Sequence, residues 1–167
     1  SSQPLSEVLT SSPEALRFYS EARRFHFNIA YRDAIPLYEL AIEADPKFAM
    51  AYRGLAMCYG NIGEADREKA CSAKALELSD RLPERIRYQI QISSYTSSEA
   101  TYPQAIEAGE KLLARYPDDE LGLHLMGYMY GVAEQYARAM AFREAAAKGS
   151  FTALYVGNLE GDYRAVG

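Results

Sequence analysis

The sequence predicts an all-α protein built from a tandem array of helical hairpins, and three observations carry that prediction. Apolar and small residues step by three and four along most of the chain, as in Ala15, Phe18, Ala22, Phe25 and Ile29, which marks one face of a helix. No stretch alternates with the period of two that a half-buried strand requires. A packing column recurs about every 34 positions, a period that belongs to helical-pair repeats. Ala41 maps onto Ala75, then, after three extra residues, onto Leu112, and then onto Ala146.

Residues 1–12 read as a linker, polar and aperiodic with Pro4 inside it. Ser12 is a natural N-cap, Pro13 fits the first helical position, and Glu14 complements the positive helix end. The second helix is expected to start between Tyr31 and Asp33 and to run to Ala44. Pro36 fits its first turn if Asp33 is the cap; otherwise it predicts a kink, because proline lacks the amide donor and clashes one turn back. Pro46 closes this pair. Phe48, Tyr52, Leu55, Tyr59 and Ile62 mark the third helix, and Gly60 and Gly63 supply a turn where positive φ is needed.

The fourth helix is predicted over about 64–79, with Cys71, Ala75 and Leu78 on its packing face. Residues 80–83 hold the three-residue insertion, and Pro83 opens a fifth helix with Ile86, Ile90 and Ser93 in step. The hydroxyl-rich run from Ser93 to Ser98 is a weak helix end. Ala105, Ile106, Leu112 and Leu113 define the sixth helix, ended at Tyr116–Pro117. The seventh is expected over about 119–132 and the eighth over about 136–148, broken by Gly149 and Ser150. The tail over 151–167 carries Phe151, Leu154, Tyr155 and Val156, a partial fifth repeat or a capping helix.

Aligned at this period, the chain shows four columns. The small residue of each first helix is Ala22, Ala56, Ser93 and Gly127, and the aromatic column three residues later is Phe25, Tyr59, Thr96 and Tyr130. The small residue of each second helix is Ala34, Glu68, Ala105 and Ala139, and the closing position is Pro46, Asp80, Pro117 and Phe151. Helices approach closely only where side chains are small, and neighbouring aromatics fill the gaps. On these columns the chain resembles a tetratricopeptide repeat protein, with four repeats over about 13–46, 47–82, 83–117 and 118–150. The resemblance implies a right-handed superhelix of stacked antiparallel helix pairs, an α-solenoid with a concave groove. The second repeat departs most, since Glu68 occupies a small-residue slot and Ser72 replaces the aromatic seen at Tyr38; Gly109 replaces that aromatic in the third. Ser11 to Leu16 and Asp80 to Arg85 further resemble repeat regions attached to bacterial signalling proteins.

Composition narrows the function. A charge of −5 and a pI near 5.1 argue against a general binder of nucleic acid or anionic membrane. No apolar run approaches the ~18 residues of a spanning helix, and the N-terminus has neither an initiator Met nor a signal-peptide layout. A segment of a longer cytoplasmic protein is therefore expected. Cys58 and Cys71 have no CxxC spacing and read as packed free thiols, so neither a metal nor another cofactor is expected. No GxSxG, GxxxxGK[ST] or HExxH occurs, and no enzyme is expected.

The function predicted from this reading is a scaffold that holds a peptide or partner protein. The first-helix faces that the resemblance turns toward the groove carry Tyr19, Arg23, His26, Arg53, Met57, Asn61, Arg87, Ser94, His124 and Tyr128. Three arginines and no carboxylate on these faces predict a partner bearing acidic groups, since guanidinium forms bidentate bonds to carboxylate. The carboxylate clamp of chaperone-binding relatives is not expected, because Tyr19 and Arg23 stand in its first-repeat slots. One alternative is self-association through the apolar tail from Phe151. Another is a small-molecule or lipid-binding accessory domain that uses Tyr19, Phe27 and Tyr128.

Overall fold

The computed structural model describes residues 9–132 and 134–149; the predicted tail lies outside them. The helices are α1 (Pro13–Phe27), α2 (Tyr31–Ala44), α3 (Ala49–Asn61), α4 (Ala65–Leu78), α5 (Glu84–Tyr95), α6 (Tyr102–Arg115), α7 (Glu120–Val132) and α8 (Tyr136–Gly149). Single 3₁₀ turns occupy Ser79–Arg81 and Glu99–Thr101, and the described residues contain no strand. The chain divides into two compact units between Ser97 and Ser98, inside the third predicted repeat.

In the first unit the small and aromatic positions of the first repeat pack into the core. Ala15, Tyr19 and Ala22 of α1 meet Ala34, Tyr38 and Ala41 of α2, and Phe48, Leu55, Tyr59, Ala75, Ile86 and Ile90 extend the same cluster. Tyr38 lies against the α3 backbone at Gly54, where its ring occupies the space a Cβ would need. Ser12 caps α1 by accepting the Ala15 amide at 3.1 Å, as expected. Thr10, within the predicted linker, is buried, and its hydroxyl donates to Asp45. Ala30 rather than Asp33 is the N-cap of α2, so Pro36 stands in the second turn and the helix continues through it.

The second unit fills its missing columns differently. Met126 of α7 enters the space above Gly109, where even one added methyl would collide with its sulfur. Arg143 occupies the slot equivalent to Tyr38, is 7% exposed, and lies across two glycines of α7. A Cβ at Gly127 would stand 2.7 Å from its Cγ, and one at Gly131 would stand 2.9 Å from its terminal nitrogen. Asp119 is buried and caps α7, accepting the Gly122 amide at 2.7 Å. Each unit also repeats one polar staple. The Tyr59 hydroxyl donates to Glu39 at 2.9 Å with Arg67 over its ring, and Tyr130 donates to Glu110 at 3.4 Å with Arg138 over its ring.

Three hairpin turns share one geometry. Ile29, Gly63 and Glu134 have φ of +61°, +82° and +57°, and the amide after each returns to a carbonyl five residues back, at Phe25, Tyr59 and Tyr130. Glycine adopts this conformation without strain, whereas a β-branched residue is disfavoured there by about 1–2 kcal/mol. Ile29 is 59% exposed, so little burial offsets that strain. Ile29→Gly is therefore expected to raise the unfolding free energy by about 1 kcal/mol, and Gly63→Ala to lower it by about 1 kcal/mol. Urea denaturation of the two single variants checks both signs.

Candidate partner-binding face

Eight of the ten predicted residues lie in the first unit. On α1, Arg23 is exposed, and its guanidinium stands 5.1 Å over the ring of Phe27, itself 59% exposed, and 5.9 Å from that of Tyr19. Tyr19 is 6% exposed and packs on Phe48 and Tyr38, with ring centroids 4.8 and 5.9 Å away. It floors the face, and burial pushes its hydroxyl pKa up. On α3, Arg53 is 9% exposed, and its Nε donates to the Ser93 hydroxyl of α5 at 2.9 Å. Met57 is half-buried, and exposed Asn61 donates to the Met57 carbonyl at 2.7 Å. Buried Ser94 donates to the Ser72 carbonyl at 3.1 Å, and half-buried Arg87 lies over its neighbour Tyr88. His124, half-buried, and Tyr128, 45% exposed, lie on α7 in the second unit.

Arg53, Met57 and Ser94 line one cavity of about 40 Å³ with Ala56, Glu68, Ser72, Ser93 and Thr96. Glu68 was invisible as a member of this face, because it belongs to a second helix and to a packing column. Its carboxylate lies over Gly60, where a Cβ would stand 2.8 Å from its carboxyl carbon, and burial raises its pKa. The only available signal was a charged residue in a small-residue slot.

Behind the face lies a cluster that spacing alone could not reveal. His26 Nδ1 is 3.2 Å from the Tyr38 hydroxyl and 3.6 Å from Cys58 Sγ. The rings of Phe27 and Tyr31 also flank it. Burial, with the charges of Arg53 and Arg23 added, holds the His26 pKa down at about 4, so the ring is neutral at pH 7. Burial pushes the Cys58 thiol up to about 12, which leaves no thiolate for nucleophilic work. Cys58 and Cys71 are both free thiols. Among the described residues no group of three or more His, Cys, Asp or Glu side chains could hold a metal ion. No described helix is long and apolar enough to cross a membrane.

Paired helices at this period, with small residues at the crossings, define a helical-hairpin repeat protein, and solved structures narrow the class. A thermophilic TPR protein of Thermus thermophilus superposes with a TM-score of 0.70 at 17% identity, covering 92% of this chain and 83% of that one. The APC/C hetero-tetramer Cut9–Hcn1 gives a TM-score of 0.60 at 19% identity, covering 97% of this chain and 32% of that one. No protein-family model and no curated protein matches the sequence. The fold is that of the tetratricopeptide repeat proteins.

The buried imidazole makes stability depend on pH. Below pH 6.5 the unfolded ring takes a proton that the folded ring refuses until about pH 4. Stability from this group is complete above 6.5 and is lost as pH falls toward 4, by about 2–3 kcal/mol. The unfolding free energy is expected to fall more steeply between pH 6.5 and 4 in the parent chain than in His26→Gln. Denaturant curves taken along that range measure the difference.

Proposed function

We propose that this chain is a protein-interaction scaffold that holds an extended or helical segment of a partner against the first-helix faces of its repeats. The single observation that carries this reading is the pairing of exposed Arg23 with exposed Phe27, in the same unit as the cavity lined by Arg53, Met57 and Ser94. A cation fixed over an exposed aromatic offers a carboxylate partner and an apolar contact within one turn of helix. The partner segment accordingly carries acidic groups near an apolar residue. Arg53, bonded and 9% exposed, positions the cavity wall, and the exposed guanidinium of Arg23 is the one that meets a partner carboxylate. The repeat fold supports a protein-binding role. The likeness of Ser11–Leu16 and Asp80–Arg85 to repeat regions of bacterial signalling proteins supports a larger cytoplasmic bacterial regulator as its setting. The proposal involves no catalytic step and no cofactor. Self-association would use the tail, which lies outside the described residues.

A displayed random-peptide library panned on the chain tests the reading. Recovered peptides are expected to be enriched in Asp and Glu, and their affinity to fall at least about tenfold on an Arg23→Glu, Phe27→Ser variant whose helicity is intact. Unchanged affinity on that variant would remove the site from α1. A mass that doubles with concentration, with no peptide recovered, would favour the self-association reading instead.

A further inference from the structure

The cavity between α3, α4 and α5 is a vacated side-chain slot. In the first repeat Tyr38 fills the equivalent space, touching Tyr19 and bonding His26. One repeat later these three positions are Ser72, Arg53 and Gly60, so the ring and the imidazole are both missing. Arg53 and Glu68 close part of the space and leave about 40 Å³ open. A single water needs about 10–15 Å³ on this measure, so the opening holds roughly three heavy atoms.

Its walls specify what can enter. The hydroxyls of Ser93, Ser94 and Thr96 each donate their proton to a backbone carbonyl, at Gln89, Ser72 and Ser93 respectively. Their oxygens therefore act as acceptors at the cavity wall, that of Ser93 already accepting from Arg53. Arg53 contributes a cation whose orientation is fixed by Ser93, and Glu68 contributes an anion seated on Gly60. An ammonium group would face Arg53 and a carboxylate would face Glu68, so either ion meets a like charge at close range. A neutral group that both accepts and donates meets neither penalty. Its oxygen accepts from the guanidinium side while its two N–H bonds reach Glu68 and the hydroxyl oxygens.

We propose, resting on the peptide-binding reading above, that this slot is the anchor pocket for an Asn or Gln side chain of the bound segment, with Arg53 and Glu68 reading the two ends of its carboxamide. The half-buried Met57 supplies the apolar wall for the methylenes of that side chain. Acidic residues of the same segment are left to Arg23, outside the pocket.

The test uses three small probes, N-acetyl-glutamine methylamide and its glutamate and norleucine counterparts, titrated into the ¹⁵N-labelled chain at pH 7. The glutamine probe is expected to shift the amides of Ser93, Ser94 and Thr96 and the Arg53 Nε–H saturably, at least about fivefold more tightly than the glutamate probe. Glu68→Gln should bring the glutamate probe to within about twofold of glutamine, since it removes the like charge while keeping the shape. Equal responses to all three probes, a tighter glutamate probe on the parent chain, or silent pocket signals up to about 50 mM would each overturn the proposal. The comparison on the parent chain decides the matter even if the variant fails to fold. Library peptides that bind through Arg23 and Phe27 while the pocket stays silent would sink the anchor and leave the scaffold reading intact. A saturable glutamine response with no peptide recovered would do the reverse.

Discussion

Tyr38 of α2 joins three helices of the first unit in one contact set. Its ring lies on the α3 backbone at Gly54 and packs at a tilt against Tyr19 of α1, and its hydroxyl bonds His26 at 3.2 Å. Backbones can come this close only because Ala22, Ala34 and Ala41 are small where the helices cross, and all three have no exposed surface. No single hairpin could bury this aromatic by itself, so order in one repeat depends on the next. The same packing explains the electrostatics behind the candidate face. An imidazole held between Tyr38, Cys58 and two nearby guanidinium groups stays neutral because charging it would leave a cation both desolvated and repelled.

The later repeats show what replaces that aromatic. Gly109 is covered by Met126 from the following helix, a flexible side chain suited to an irregular gap. Arg143 takes the slot in the last described repeat and lays its stem over Gly127 and its guanidinium over Gly131, burying methylenes where a ring would have gone. The slot at Ser72 stays open, with Glu68 and Arg53 at its walls. Departure from the repeat pattern is thus repaired by packing in the second unit and becomes a cavity in the first.

The helical architecture was legible because it rests on spacing alone. The capping Ser12, the hairpin boundaries and the positive φ at Gly63 all follow from short-range chemistry that a sequence displays. Ile29 and Glu134 adopt the same turn without the residue that announces it, so the tertiary pairing of the helices overrides their local preference. Pro36 likewise tolerates the second turn of α2, with the loss of one intrahelical bond to the Arg32 carbonyl. Of the face, the column pattern gave direction and not depth. It marked Tyr19, Arg23 and Arg53 as equals, whereas the structure buries the first and third and leaves the second in solvent. It also left out Glu68, because a carboxylate from a second helix reaches this face only when Gly60 offers it a seat.

That omission changes the electrostatic character of the face. Counting first-helix residues alone gives three arginines and no carboxylate, which describes a surface for anions. With Glu68 included, positive charge is displayed outside at Arg23, while the slot is lined by one cation and one anion. Screening in water weakens the attraction of an exposed arginine for any single carboxylate, so in the proposed complex Arg23 steers more than it holds. Inside the slot water is partly excluded and hydrogen-bond mismatch is costly, so discrimination between an acid and its amide is strongest there. In the proposed complex attraction and selection therefore fall to different residues of the same face, because Arg23 is exposed and Arg53 is buried.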